Sequence, residues 1–509
     1  MMGTKVRLFG SLHTVSLEDL VPKNHFYRHV EHTLDLTFVR DLVKSCYAPV
    51  GRPSVDPIVF FKLQLAMFFE GIRSERQLME VAADRLSLRW FLGYDLHEAL
   101  PDHSSLSKIR DRYGVTIFRR FFDRIVEQCQ QAGLVWGKEL YCDSTQVEAN
   151  ADRDKMLPRF YVDAVTEHLT ALFPEGDVSQ EAQLPPPESA PIPLVTLPPE
   201  VEAEVAAKNA GRHDWIAALG RPDREETHGS YQRQSDVWVN LTDPDATLMH
   251  KKGGGTALGY HTHYVVDGGK ARIILDALVT PSEVMDNQPM LDLLWHVCFR
   301  WHLQPTFACG DTTYGTIENI VALEDADIRA YTPLPDFEHR TLFYGKQRFS
   351  YDADQDQYRC PQGTILPRRK TKYTERVIVY QAEAETCNAC PLKAKCTESD
   401  QGRQVHRSFD EAYLEVVRSY HATEAYKKAM RKRKVWVEPL FGEGKAWHGM
   451  ERFRLRRLEK VNIEGLVRAT GQNLKRLLSW RGWGRCWWPG GAAGVVIPGD
   501  FALFSLVPV

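Results

Sequence analysis

At 509 residues the chain is too long for one ordinary domain and suggests two or three. Its 43% hydrophobic and 26% charged residues are ordinary globular values. No stretch reads as a signal peptide or a spanning helix, so a membrane protein is excluded and a soluble cytoplasmic protein is expected. The formal charge of −3 hides an asymmetry. Residues 401–487 hold 20 Lys and Arg against 9 Asp and Glu, a net of +11, so the rest of the chain carries −14. A basic C-terminal third points to a polyanionic partner, nucleic acid being the commonest; a solvated charged surface is the plainer alternative. Ten cysteines in an intracellular chain argue against a disulfide framework. Cys46, Cys129, Cys142, Cys298, Cys309 and Cys486 are scattered, and Cys360, Cys387, Cys390 and Cys396 cluster.

Residues 1–135 read as helical. Asp56-Pro57 is a helix start, with Asp as N-cap and Pro in the first turn, and the apolar run that follows ends at Gly71. Ser74-Glu75-Arg76-Gln77 reads as a capping box, and Ser104 or Ser105 opens a further helix through SLSKIRDRYGVTIFRRFFDRIVEQC. Short helices with tight joins fit either a helix-turn-helix DNA-binding unit or a structural bundle. KELYCDSTQVEA (138–149) reads as a strand carrying Asp143. Residues 173–232 are Pro-rich and predict an exposed flexible insertion. YHTHYVVDGGKARIILDALVT predicts a hairpin around Asp267-Gly268-Gly269. A helix over 287–302, a strand ending on Asp311, a helix from about Thr316 and a strand over 328–334 follow. Beyond the cysteine- and aromatic-bearing residues 340–425, a basic helix is predicted over 426–446 and another over 461–480. The Pro- and Gly-broken residues after Trp488 suggest no function.

Asp143 and Asp311 sit on or just after predicted strands, where carboxylates converge on one edge of a sheet. A divalent metal such as Mg2+ prefers oxygen ligands and takes only one or two protein carboxylates. Two such ions, roughly 4 Å apart, activate a water or a 3′-OH and stabilise the leaving oxygen in in-line displacement at phosphorus. That chemistry wants a third carboxylate, and Glu438 on the basic helix is the candidate. Each acid alone has a plainer reading, as a helix cap, a turn residue or a surface charge. The case rests on the three together.

The segment RKVWVEPLFGEGKAWHGM resembles the signature around the last acid of bacterial insertion-sequence transposases of the DDE type. In that signature an Arg precedes the Glu, Phe-Gly follows it and a Lys comes seven residues on; here these are Arg433, Glu438, Phe441-Gly442 and Lys445. GDTTYG and IRAYTPL resemble the strands around the family's second Asp. The stretch from DPIVFFKLQLAMFFEG through PDHSSLSKIRDR resembles its N-terminal helical domain, and CPQG…CNACPLKAKC its cysteine-bearing insertion. The likeness covers about residues 15–480 outside the Pro-rich stretch and is strongest to the insertion-sequence 1182 group, a neighbour of the groups numbered 4 and 5. One departure stands out. The superfamily's Tyr-x-x-Arg before the Glu is replaced, with Arg431 at the Tyr position and Lys434 at the Arg position, Arg433 lying beside it.

The resemblance implies an α/β fold with a ribonuclease-H-like core, a mixed sheet flanked by helices, after an all-helical N-terminal domain. The expected organisation is a DNA-binding-like helical domain over 1–135 and the first part of the core over 136–339. A Cys-bearing insertion over 340–425, the basic remainder of the core over 426–487 and an unassigned tail over 488–509 complete it. The resemblance implies an enzyme that binds terminal inverted repeats and cleaves and joins double-stranded DNA, with two Mg2+ or Mn2+ on Asp143, Asp311 and Glu438. Arg431, Arg433, Lys434 and Lys445 are expected on DNA, and a homodimer in the active complex. A DNA-binding derivative without strand-transfer activity, and a nuclease of the same fold that never joins, are the alternatives.

Cys387-x-x-Cys390 with Cys396 and Cys360 suits one structural tetrahedral Zn2+; reduced, half-buried cysteines are the other reading. The insertion's aromatics, Phe343, Tyr344, Phe349, Tyr351, Tyr358, Tyr373 and Tyr380, are expected to form its own core rather than to stack on a flipped base. Of the two glutamates on the basic helix, Glu443 lies about 140° around from Glu438. It is expected to point outward as a solvated charge, leaving Glu438 as the third acid.

Overall fold

The computed structural model describes residues 15–48, 54–158, 238–251, 253–335 and 342–483. The Pro-rich stretch 173–232, Cys486 and the tail 488–509 lie outside them. The first seven helices are α1 (Leu17–Leu20), α2 (Phe26–Thr33), α3 (Phe38–Val43), α4 (Pro57–Glu70), α5 (Glu75–Asp84), α6 (Leu86–Leu92) and α7 (His103–Gln131). Local signals set most of their ends. Asp56 accepts from the Ile58 amide, Pro57 occupies the first turn of α4, and Gly71 closes it in the left-handed conformation at φ 64°. Ser74 caps α5 by accepting from the Gln77 amide. Two expectations for α7 need correction. Its cap is Asp102, which accepts from the Ser104 amide, rather than Ser104 or Ser105. It is also two helical segments meeting at Gly114 (φ 60°, ψ 178°), a conformation essentially restricted to glycine. There the freed Val115 amide donates to Glu459.

The main sheet is built from β1 (Glu139–Glu148), β4 (Thr247–His250), β5 (Thr256–Asp267), β6 (Ile274–Pro281), β7 (Phe307–Cys309) and β8 (Arg329–Tyr331). β1 lies between β5, antiparallel, and β7, parallel; β8 is parallel to β7; β4 and β6 pair with successive halves of β5. The small pair β2 (Met156–Pro158) and β3 (Trp238–Asn240) stands apart. At the predicted hairpin, Asp267 accepts from the amides of Trp136, Gly137 and Gly269, which fixes the turn. Helices α8 (Met290–Trp301) and α9 (Ile317–Asp325, capped by Thr316) follow β6 and β7.

The insertion is a second sheet, β9 (Ser350–Asp352), β10 (Gln357–Arg359), β11 (Ile365–Lys372), β12 (Val377–Gln381) and β13 (Gln404–Ser408), in sequential antiparallel order. Short helices α10 (Ala384–Asn388) and α11 (Lys393–Cys396) carry the cysteines. Helix α12 (Glu411–His421) leads back to the main sheet, then α13 (Glu424–Trp436), α14 (Glu438–Trp447) and α15 (Leu458–Trp480) close the fold.

Helix α15 locks the layers together. Its Asn462 and Asn473 amides exchange paired hydrogen bonds with the backbone of Val279 and Ile274 on edge strand β6, each at 2.8–2.9 Å. Eleven helical residues rise about 16 Å and five strand residues span about 16 Å, so the two spacings coincide. The edge backbone groups are thereby satisfied without another strand. On its other side α15 packs on α4 so closely that a Cβ at Gly471 would lie 2.3 Å from the Phe68 ring. One hydrophobic core runs from Tyr27 to Leu478 through the N-terminal helices, the sheet and α15. A separate, smaller core holds the insertion. Among the described residues no helix is long and apolar enough to cross a membrane.

Candidate active site

Asp143 lies mid-strand in β1, 8% exposed, and its Oδ1 accepts from the Ser144 amide at 2.9 Å. β1 and β7 pair in parallel with Tyr141 opposite Cys309. Carried two residues on, that register brings Asp143 level with Asp311, just past the end of β7. Asp311 caps a 3-10 turn by accepting from the Thr313 amide at 2.8 Å and is half-buried. Glu438 is exposed and is the first residue of α14. Burial pushes the Asp143 carboxyl up to about 6, the charges of Asp311 and Glu438 adding to it. Arg433, whose guanidinium sits 3.1 Å from Asp143, and the Ser144 amide pull the other way. The charges of Asp311 and Glu438, from two other elements, therefore both reach Asp143.

The predicted continuous helix over 426–446 is two helices, α13 and α14, meeting at Val437. Pro439 explains the break. It has no amide to donate and its ring clashes with the preceding turn, so it fits only in the first turn of a new helix. The break turns Glu438 into a helix-start residue.

The expectation for Glu443 is overturned. It is not a solvated charge: its side chain is 20% exposed and faces α15, paired with Lys475 and Arg476 and 3.7 Å from His448. His448, Arg476 and Lys475 hold its carboxyl well below the usual range against the opposing effect of burial. The helical angle was sound, but it leads to a cationic neighbour rather than to water.

The basic residues divide. Lys432 points inward, bonding Glu139 and the Gly268 carbonyl, with Trp436 beneath it. Arg433 faces Asp143 rather than the surface. Arg431 and Lys434 are exposed on the opposite side of α13, and Lys445 is half-buried in the last turn of α14.

In the insertion the four clustered thiols line one small cavity. The Leu392 amide donates to Cys390 Sγ and the Arg403 amide to Cys387 Sγ, both at 3.4 Å. Burial raises the Cys396 thiol, Arg403 opposes it, and Cys387, Cys360 and Cys390 add to the rise. The nine described cysteines are free. Phe349, Tyr358 and Tyr380 are buried with Tyr344 and Tyr351 packed against them, whereas Tyr373 is 77% exposed and belongs to no core.

A further cluster, His261, His263 and Asp286, was not foreseen. Among the described residues it alone brings three His, Cys, Asp or Glu ligand atoms within 4.8 Å of one another. The only hint in the sequence is the i, i+2 spacing of the two histidines on a strand, which puts them on one face.

Residues 15–112 match the family model "Transposase domain (DUF772)", and residues 359–478 match "Transposase DDE domain". The chain is similar to transposases along both segments. The first transposase match ends two residues before the Gly114 kink; the second spans the cysteine cluster, Arg433, Glu438 and α15. Asp143 and Asp311 fall between the two. No curated protein and no solved structure matches the chain. The two matches support a transposase of the DDE type.

Proposed function

We propose that this protein is an insertion-sequence transposase, close to the insertion-sequence 1182 group, that binds terminal inverted repeats and cleaves and joins double-stranded DNA. Asp143, Asp311 and Glu438 are its metal-binding acids, on a ribonuclease-H-like core. The observation that carries this reading is that the register of β1 and β7 sets Asp143 level with Asp311 and that the charges of Asp311 and of Glu438, at the start of α14, both bear on Asp143. The strand order β6-β5-β1-β7-β8, antiparallel on one side of β1 and parallel on the other, supports the core.

The donor set is all carboxylate, which suits a hard cation such as Mg2+ or Mn2+. Two such ions, when bound, supply activation of a water or 3′-OH and charge stabilisation of the leaving oxygen. The chain's own residues prepare the site. Burial and like charge raise the cost of the ionised Asp143, which a bound cation would relieve, and Arg433 offsets part of that cost. Arg431 and Lys434 offer an exposed cationic face to phosphates, and Lys445 adds a cation in the last turn of α14. The N-terminal helices contribute to end recognition, and the active complex is a homodimer acting in the cytoplasm. Cys360, Cys387, Cys390 and Cys396 hold one structural Zn2+; four thiolates leave no position open for catalysis.

The test is nicking of a terminal-repeat substrate in Mg2+ or Mn2+. Asp143→Asn, Asp311→Asn and Glu438→Gln are each expected to abolish nicking while end binding persists and weakens steeply with salt. Cleavage at near the parental rate by any of the three removes that residue from the site.

A further inference from the structure

We infer that His261, His263 and Asp286 form a second divalent-metal site, for a transition ion of the Zn2+ type, on the face of the sheet opposite Asp143. The faces follow from register. Ser144 pairs with His263 and Gln146 with His261, whereas Asp143 pairs with Tyr264. Paired residues share a face and successive residues alternate, so both imidazoles stand on the Ser144 side.

One orphaned atom points to an ion. His263 is 1% exposed; its Nε2 lies 2.8 Å from Thr280 Oγ1, while its Nδ1 has no hydrogen-bond partner. Buried imidazole nitrogens are rarely left so. A metal-ligating histidine has this very arrangement, donating one N–H to a fixed acceptor and presenting the other nitrogen's lone pair. Asp286 stands beside it as the anionic member of the cluster, its Oδ1 3.1 Å from His261 Nδ1 and its carboxyl held by the His261 and Ser144 side chains. His261 Nδ1 also lies 3.3 Å from the Val284 carbonyl, and one ligand atom from each of His261, His263 and Asp286 lies within 4.8 Å of the other two. Two imidazoles and one carboxylate select Zn2+, Co2+ or Mn2+ over Mg2+, the reverse of the all-carboxylate set on the other face. The ion would fasten the segment after β6 to β5, directly behind the strand that carries Asp143. Asp286 already bears on Tyr314, which senses Asp143 and Asp311 as well.

This inference does not depend on the transposase reading, and its test is a binding measurement. The full chain carrying Asp143→Asn, Asp311→Asn and Glu438→Gln, to silence the other carboxylates, is titrated with Co2+. The expected signal is visible d–d absorption beyond any that accompanies the near-ultraviolet thiolate band of the cysteine cluster; it survives Cys387→Ser, where that band is lost, and is displaced by Zn2+. Adding Asp286→Asn, an isosteric change at a side chain 25% exposed, is expected to weaken that binding at least about tenfold, with circular dichroism unchanged. A thiolate-type spectrum alone in the triple variant, or an unaltered isotherm in Asp286→Asn, overturns the site.

Discussion

Glu443 is held by Lys475, Arg476 and His448 against α15, and the sign of its effect on stability follows directly. Its carboxyl titrates below the usual range, so its contribution is fully present above the ordinary glutamate value of about 4.3 and is lost as pH falls below it. Glu443→Gln is expected to lower stability at pH 7 by roughly 3 kcal/mol, the low end for breaking a buried pair. In urea titrations the gap from the parent should close as pH drops below about 4; a gap that is constant down to pH 3 rules the ion cluster out as its origin. Asp143 has the opposite sign. Its carboxyl is raised to about 6, so the stability it contributes in acid is lost as pH rises through that value. Asp143→Asn should therefore stabilise the metal-free chain at pH 7, by on the order of 1–3 kcal/mol, measured in the presence of a chelator. Destabilisation would mean that the Arg433 pair outweighs burial and repulsion. The sequence distinguishes these carboxylates only in part. Strand patterning puts Asp143 and Asp311 at strand positions, and the angle between Glu438 and Glu443 is correct. Nothing local to 438–447 reveals that Lys475 and Arg476, some thirty residues on, wait at the end of that angle. Asp286 is as opaque, since only the fold sets it beside His261 and His263.

Between elements, ends marked by a cap or a proline were legible and interior breaks were not. Asp56-Pro57, Gly71 and Thr316 act locally, so the sequence suffices for them. The interruption at Gly114 is decided by Glu459 on α15, which takes the Val115 amide, and a helix-compatible run on both sides hides it. Two identical substitutions separate the cases. Gly114→Ala places a Cβ 3.2 Å from Glu459 Oε1 in a backbone region open essentially to glycine alone. It should cost about 1–3 kcal/mol. Gly442 is helical, exposed and has nothing within 4 Å of an added Cβ, so Gly442→Ala should gain about 0.5–1 kcal/mol. Opposite signs in thermal unfolding are the expected result. A stabilised Gly114→Ala would mean that α7 prefers to run straight through.

Among the described residues, the hydrophobic cores do not follow the order of segments along the chain. The helices before β1 look separable in sequence, yet α4 and α7 pack on α15 and share one buried cluster with β1, β5 and β6. The insertion has its own cluster around Phe349, Leu366 and Tyr380. Cooperativity follows buried apolar contact rather than chain order, so the protein should unfold in two steps, not one and not three. The smaller step belongs to the insertion, whose core cluster of six buried side chains is slight for its length. Such a core needs a staple, which the four thiols can provide by binding zinc. Scanning calorimetry is expected to show a minor transition that moves down with a strong chelator and with Cys390→Ser, beside a major one that neither treatment shifts. A chain begun at residue 136 should show no major transition, because removing α4 and α7 exposes the faces of α15 that carry Gly471 and Leu474. If that shortened chain keeps a cooperative transition, the helices form an independent domain after all; if chelation moves both transitions together, the insertion has no core of its own.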